Sequence, residues 1–130
     1  MRVRNENLLE LDGAAVNGSL AASKNLQAMW LGHISQFAIQ LVFTGTPAGN
    51  FKLQASNDVG HPQAASEAER EVQVVNWTDI TDSAVTISAA GNVMWNVENV
   101  GYNWVRVAWT ATGAGTTPLL TVARAYVKGI

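Results

Sequence analysis

The sequence has no cysteine, so neither disulfide bonds nor thiolate metal sites can stabilise the fold. It has only two histidines, His33 and His61, and they lie in different segments, so a histidine metal site or general base is not indicated. A chain of 130 residues can still bury about two-thirds of its extended-chain surface. We therefore expect one domain without disulfides, metal or another cofactor.

Charge is also scarce, at 14% of residues against about 25% in an average soluble domain. The net charge of −2 gives no electrostatic case for a nucleic-acid partner. Apolar runs fall short of the roughly 20 residues needed to span a bilayer, so no membrane partner is expected. The stretch Met1–Glu6 lacks the apolar region of a secretory signal. A sparsely charged surface is typical of a protein that partners cover.

What the sequence does contain is alternation of apolar and polar residues with a period of two. Residues 35–43 and 51–56 alternate on either side of a turn with Gly and Pro, which predicts a β-hairpin. Residues 94–100 and 104–110 predict a second hairpin, which holds three of the five tryptophans. Because aromatic side chains bury large areas, we expect the core to gather around this second pair.

The strand signals number about seven or eight, with turn residues between them. This pattern predicts an all-β fold, an antiparallel β-sandwich of jelly-roll or immunoglobulin-like type. Residues 35–130 form the predicted sandwich. Residues 1–34 lack clean periodicity and predict an irregular N-terminal arm with the first edge strands. On that interpretation, deletion of residues 1–11 leaves the melting temperature nearly unchanged.

Three segments carry a resemblance to a known class of protein: Leu53–Asp58, Asn76–Ile80 and Gly101–Val107. Together they resemble small β-sandwich structural proteins from the virions of tailed bacteriophages, and more distantly discoidin-type sandwiches. The resemblance covers about residues 35–128 and rests on packing and turn residues. The chain departs from the pattern at residues 59–75, where an insertion replaces a tight turn.

The resemblance implies a capsid decoration, or cement, protein that bridges subunits of the major capsid protein. Such a protein is made in the host cytoplasm and resides on the capsid surface of the virion, and self-association as a dimer or trimer is expected. Two alternatives stay open. One is an adaptor in the tail, baseplate or fibre, and the other is a carbohydrate-binding module.

Candidate contact residues lie in three places, namely the arm, the insertion and the rim of the sandwich. They are Arg2, Val3, Arg4, Leu8, Leu9, His61, Glu67, Arg70, Trp77, Trp104 and Arg106. Trp77 and Trp104 are candidate interface or sugar-stacking anchors. The competing hypothesis for Arg106 is structural, with its guanidinium paired to a carboxylate or carbonyl group or stacked on Trp104.

No pattern in the sequence indicates catalysis. Neither a Ser/His/Asp arrangement, nor a phosphate-binding glycine loop, nor a paired-carboxylate cleft stands out. Asn57, Asp58, Asp79 and Asp82 could supply oxygen ligands for calcium, but ordinary turn chemistry accounts for them. We therefore predict a non-enzyme without catalytic or metal-binding residues.

Overall fold

A computed structural model describes residues 3–11, 14–15, 18–32, 34–58, 74–113 and 115–129. All regular structure within these ranges is β, and they contain no helix. Nor does this part of the chain offer any helical segment that could cross a membrane. The predicted all-β class is confirmed.

The described residues form twelve strands. In chain order they are β1 (Val3–Asn7), β2 (Glu10–Leu11), β3 (Ala14–Ala15), β4 (Lys24–Asn25), β5 (Met29–Trp30), β6 (Ile34–Thr44), β7 (Ala48–Ser56), β8 (Thr78–Asp79), β9 (Val85–Ile87), β10 (Gly91–Glu98), β11 (Trp104–Gly113) and β12 (Leu119–Gly129). A four-stranded sheet has the order β1-β12-β6-β10. In the six-stranded sheet, β4 and β5 pair with β11, β11 pairs with β7, and β7 pairs with β8 and β9. All these pairs are antiparallel.

The strand order is that of a jelly roll. β4 and β5 can be counted as one interrupted strand, and so can β8 and β9. Without the small β2–β3 pair, eight strands then remain. One sheet then contains the first, eighth, third and sixth strands, and the other contains the second, seventh, fourth and fifth. This is the double-sheet arrangement of a jelly roll, which confirms the sandwich and selects one of its two predicted types.

Both predicted hairpins are wrong, because the chain crosses between sheets at each turn. β6 pairs with β12 and β10, whereas β7, the next strand, pairs with β11 in the other sheet. β10 and β11 are separated in the same way. Each of these strands has one strongly apolar face, and crossing lets the two faces meet across the interior. Alternation reveals which face is buried but not whether the next strand pairs edge to edge.

Aromatic rings fill the space between the sheets. The Phe51 ring centroid lies 5.6 Å from that of Phe43 in the opposite sheet and 4.5 Å from that of Trp109. The indole N–H of Trp109 donates to the Leu20 carbonyl at 3.0 Å, and that of Trp95 donates to the Ser83 carbonyl at 2.8 Å. The indole donors of Trp95 and Trp109 are thus both satisfied, as burial in the core between the sheets requires.

The N-terminal segment contains the predicted first edge strands, but its described residues do not form an irregular arm, because they are built into both sheets. β1 pairs with β12 over five residues, and β4 and β5 pair with β11. Leu8, Leu20 and Leu26 are at most 2% exposed and belong to the main core. These strands complete the jelly roll, but each is too short for its alternation to be recognised in sequence.

This placement reverses the expectation for the N-terminal residues. We expect Leu8→Ala to lower the free energy of unfolding by about 2–5 kcal/mol, since it removes a fully buried side chain and leaves a cavity. Denaturant-induced unfolding measures the change. The control is Asn5→Ala, at an exposed position in the neighbouring strand. Equal stability of the two variants would show that this segment is not part of the core.

Candidate functional site

Two of the predicted contact residues meet on the outer face of the six-stranded sheet. The Arg106 guanidinium lies over the Trp77 ring, 4.2 Å from its centroid. Both side chains are half-buried. The structural hypothesis for Arg106 placed its guanidinium on Trp104, but the indole that it covers is that of Trp77.

Trp104 lies on the same face of the sheet, but its side chain is not exposed. It is fully buried in a small second apolar cluster with Ala28 and Val74, against which Trp30 and Trp77 pack. The Trp30 and Trp104 rings meet edge to face, with centroids 5.1 Å apart. In the single chain Trp104 therefore supports the site from beneath instead of contacting a partner.

A row of polar side chains continues from Arg106 across the sheet. The Arg106 Nε donates to Gln54 Oε1 at 2.8 Å, and Gln54 Nε2 donates to Asp79 Oδ1 at 2.9 Å. The other carboxylate oxygen of Asp79 accepts from Lys52 Nζ at 3.0 Å. We call the set Trp77, Arg106, Gln54, Asp79 and Lys52 the outer-sheet ladder.

The ladder follows directly from strand register. Gln54 of β7 is the register partner of Arg106 on one side and of Asp79 on the other. Side chains directly opposite one another on a sheet face lie within reach of hydrogen bonding. An exposed ion pair such as Lys52–Asp79 adds little stability, so the main effect of the row is to hold the side chains in one arrangement.

The ladder sets the local electrostatics. Hydrogen bonds from Gln54 and Lys52, in that order of importance, hold the pKa of Asp79 below its usual range. Lys24 adds a third cation at a shallow groove of about 300 Å³ that Lys52 and Arg106 also line, and partial burial lowers the Lys24 pKa. The three cations and the Asp79 carboxylate together carry a formal charge of +2, whereas the whole chain carries −2.

At one end of the sandwich, Asp58 fixes the base of the inserted segment. Its carboxylate accepts the backbone N–H groups of Val75 at 2.8 Å and Asn76 at 2.9 Å, as well as the Asn76 side-chain amide. These bonds, led by that of the Asn76 side chain, lower the Asp58 pKa. Both Asp58 oxygens thus already bind the chain itself. Among the residues that the structure describes, no group of three acidic, histidine or cysteine side chains could hold a metal.

The other predicted contact residues are not at the ladder. Val3 and Arg4 belong to β1 of the four-stranded sheet, Leu8 is buried, and Leu9 packs partly buried against the main core. Four more lie outside the described residues: Arg2, His61, Glu67 and Arg70.

Sequence reasoning missed Gln54, Lys52 and Lys24, and it considered Asp79 only as a turn residue or a calcium ligand. Alternation with the buried Phe51 and Leu53 already indicated that Lys52 and Gln54 face outward. The missing signal was the register between β7, β8 and β11, which joins residues far apart in sequence.

No family model and no curated protein matches the sequence. Several solved structures are similar to this one, each at low sequence identity. The SPBc2 prophage-derived protein YomS superposes with a TM-score of 0.52 at 10% identity, over 97% of this chain and 92% of that one. The CBM36-1 domain of a xylanase from the hindgut metagenome of Trinervitermes trinervoides gives 0.47 at 5% identity, covering 99% and 98%. Tobacco streak virus coat protein gives 0.45 at 8% identity, covering 98% and 86%.

The geometry of the ladder predicts a specific pattern of titration. Because the Asp79 pKa is lowered, the ladder is intact above the ordinary carboxyl range and is lost as the pH falls through the lowered value. We expect Gln54→Ala and Lys52→Ala each to return the Asp79 pKa toward its usual range, because each removes a hydrogen bond to the carboxylate. NMR titration of the carboxyl carbons measures this. Asp58 is the internal control, because its lowered pKa depends on Asn76 and should not move in either variant.

Proposed function

We propose that this chain is a non-catalytic structural component of a bacteriophage virion that binds neighbouring protein subunits through the outer-sheet ladder. In its finer form, the proposal is a capsid decoration protein that lies across subunits of the major capsid protein. The observation that carries it is the prearranged Arg106, held between the Trp77 ring and Gln54 on the outer face of the six-stranded sheet.

A prearranged face suits protein binding for an energetic reason. A long side chain such as arginine loses rotamer freedom when it is immobilised at an interface, and this loss weakens association. Here Arg106 is already held in the free chain by the ring on one side and the amide on the other. Arginine and tryptophan are also enriched among the residues that dominate binding free energy.

The charge of the face indicates the chemistry of its partner. With Lys24, Lys52 and Arg106 against Asp79, it has an excess of positive charge in a chain that is acidic overall. An acidic patch on a capsid or tail subunit would be complementary, and such complementarity favours correct encounter over wrong partners. The bacteriophage setting itself rests on the resemblance of Leu53–Asp58, Asn76–Ile80 and Gly101–Val107 to virion proteins.

The test uses particles of the phage that encodes the chain, purified after deletion of its gene. We expect the purified chain to bind these particles in a sedimentation assay. Arg106→Ala should weaken binding about tenfold or more, which corresponds to loss of one strong interface contact. Arg124→Ala is the matched control, because Arg124 is an exposed arginine of the four-stranded sheet and its loss should leave binding unchanged.

Cryo-electron microscopy of the decorated particles separates the finer alternatives. Copies repeated over the capsid lattice would support the decoration protein, and copies confined to the tail, baseplate or fibres would establish the adaptor. A chain that binds no part of the particle would overturn the proposal.

The ladder also favours a second candidate, a carbohydrate-binding module. Trp77 offers part of an indole beside the amide of Gln54 and the carboxylate of Asp79, groups that suit sugar hydroxyls. The guanidinium already covers one face of that ring, which leaves less of it for stacking. Titration with a panel of neutral and acidic oligosaccharides, followed by tryptophan fluorescence, distinguishes the two. A saturable response that Trp77→Ala abolishes would favour the sugar.

A further inference from the structure

The free edges of the two sheets differ greatly in how well they are protected. An edge strand displays unpaired backbone N–H and C=O groups, and proteins usually blunt such edges with short strands, charges, prolines or bulges. In the six-stranded sheet the edges are formed by β4, β5, β8 and β9, each of only two or three residues. β1, at one edge of the four-stranded sheet, has five residues and contains both Arg4 and Glu6.

β10, at the opposite edge of the four-stranded sheet, has none of these protections. It runs for eight residues from Gly91 to Glu98 and keeps a regular register with β6, without a bulge. Among the described residues β6 is its one strand partner. Its sequence has no lysine, arginine or proline, and its single charge, Glu98, stands at its end.

Met94 lies in the middle of this edge. Its side chain is 60% exposed on the outer face, while Val93 and Trp95 on either side of it are buried. Methionine is a flexible apolar side chain that packs readily against varied surfaces. The edge thus combines backbone groups that no second described strand pairs with and an exposed apolar centre.

We propose that a second copy of this chain pairs with β10 through its own β10, antiparallel across a two-fold axis at Met94. The two four-stranded sheets then form one continuous eight-stranded sheet. Met94 faces Met94 of the second copy, and Asn92 faces Asn96. This interface lies at the edge of the sheet that does not carry the outer-sheet ladder, so it extends the proposed function and leaves the ladder open.

The chemistry of the edge favours a second copy as its occupant. A two-fold antiparallel pair sets every residue against another from the same strand, so a charge at the axis, or charges of one sign along the strand, would meet like charges. β10 avoids this, because in the register centred on Met94 the carboxylate of Glu98 falls opposite residue 90, beyond the paired strands. The register also keeps Val93 and Trp95 on the core side in both copies.

Charge variants at the axis provide the test. By sedimentation velocity at concentrations up to roughly 0.5 mM, we expect the wild type to show a reversible dimer. Met94→Lys and Met94→Glu should each be monomeric, since like charges meet at the axis. An equimolar mixture of the two variants should restore a dimer. The matched control is Tyr126→Lys, which also replaces an exposed apolar side chain on the outer face of this sheet, but in the interior strand β12. It should leave the dimer intact.

A second pair of variants tests the register. Asn92→Lys combined with Asn96→Glu in one chain should keep the dimer, because each lysine faces a glutamate of the second copy. Asn92→Lys combined with Asn96→Lys should weaken dimerisation at least tenfold. Circular dichroism confirms that each variant is folded.

A wild type that stays monomeric throughout, or a Met94→Lys variant that dimerises as well as the wild type, would overturn the proposal. The particle-binding assay reports separately on the ladder. Loss of dimerisation by Met94→Lys with retained particle binding supports both proposals, whereas a dimeric wild type that binds no particle contradicts the proposed function alone.

Discussion

Burial of aromatic rings between the two sheets is the constraint on which the rest of the structure depends. Phe43 comes from one sheet, Phe51 and Trp109 from the other, and the three stack through the interior with centroid distances of 5.6 and 4.5 Å. The chain supplies Phe43 and Phe51 from successive strands, so it must cross between sheets at the turn that separates them. The same requirement moves the chain across between Trp95 and Trp109. The jelly-roll order follows from these crossings. Each sheet also keeps an outer face, on which polar side chains of neighbouring strands can form hydrogen bonds.

The predictable part of the fold was the part that depends on local alternation. The pattern predicted strands at the positions of β6, β7, β10 and β11, because a sandwich strand buries every second residue. It did not reveal that β6 and β7 lie in different sheets, since the same alternation serves a hairpin and a crossing equally well. The short strands of the N-terminal segment were read as an irregular arm for a different reason. Two residues are too few to show a period, and their place is set by the open edges of β11 and β12.

The candidate site was predictable to the same extent. Trp77 and Arg106 were recognised as candidates because indole and guanidinium groups are uncommon and often form specific contacts with partners. Gln54 was not recognised, and Asp79 was considered only as a turn residue or calcium ligand, because their role comes from the register that sets Gln54 between Arg106 and Asp79. Trp104 differs in the other direction. It was a candidate contact residue because it is a tryptophan, but its side chain is buried under the site. The small apolar cluster around Trp104 lies on the outer side of the six-stranded sheet. The outer-sheet ladder is therefore held in place by packing against this cluster as well as by hydrogen bonds.

The pairing of β1 with β12 has a mechanical consequence. Val3 lies opposite Lys128 and Asn7 opposite Arg124. Residues 3 and 128 are therefore at one end of the strand pair, and residues 7 and 124 are at the other. A pulling force applied near residues 3 and 128 would act on the hydrogen bonds between β1 and β12 one pair after another. A load delivered instead through the outer face of the six-stranded sheet would be shared by β7 and β11 over their whole paired length. Force applied near residues 3 and 128 would therefore separate a strand pair more easily than the same force applied through that face.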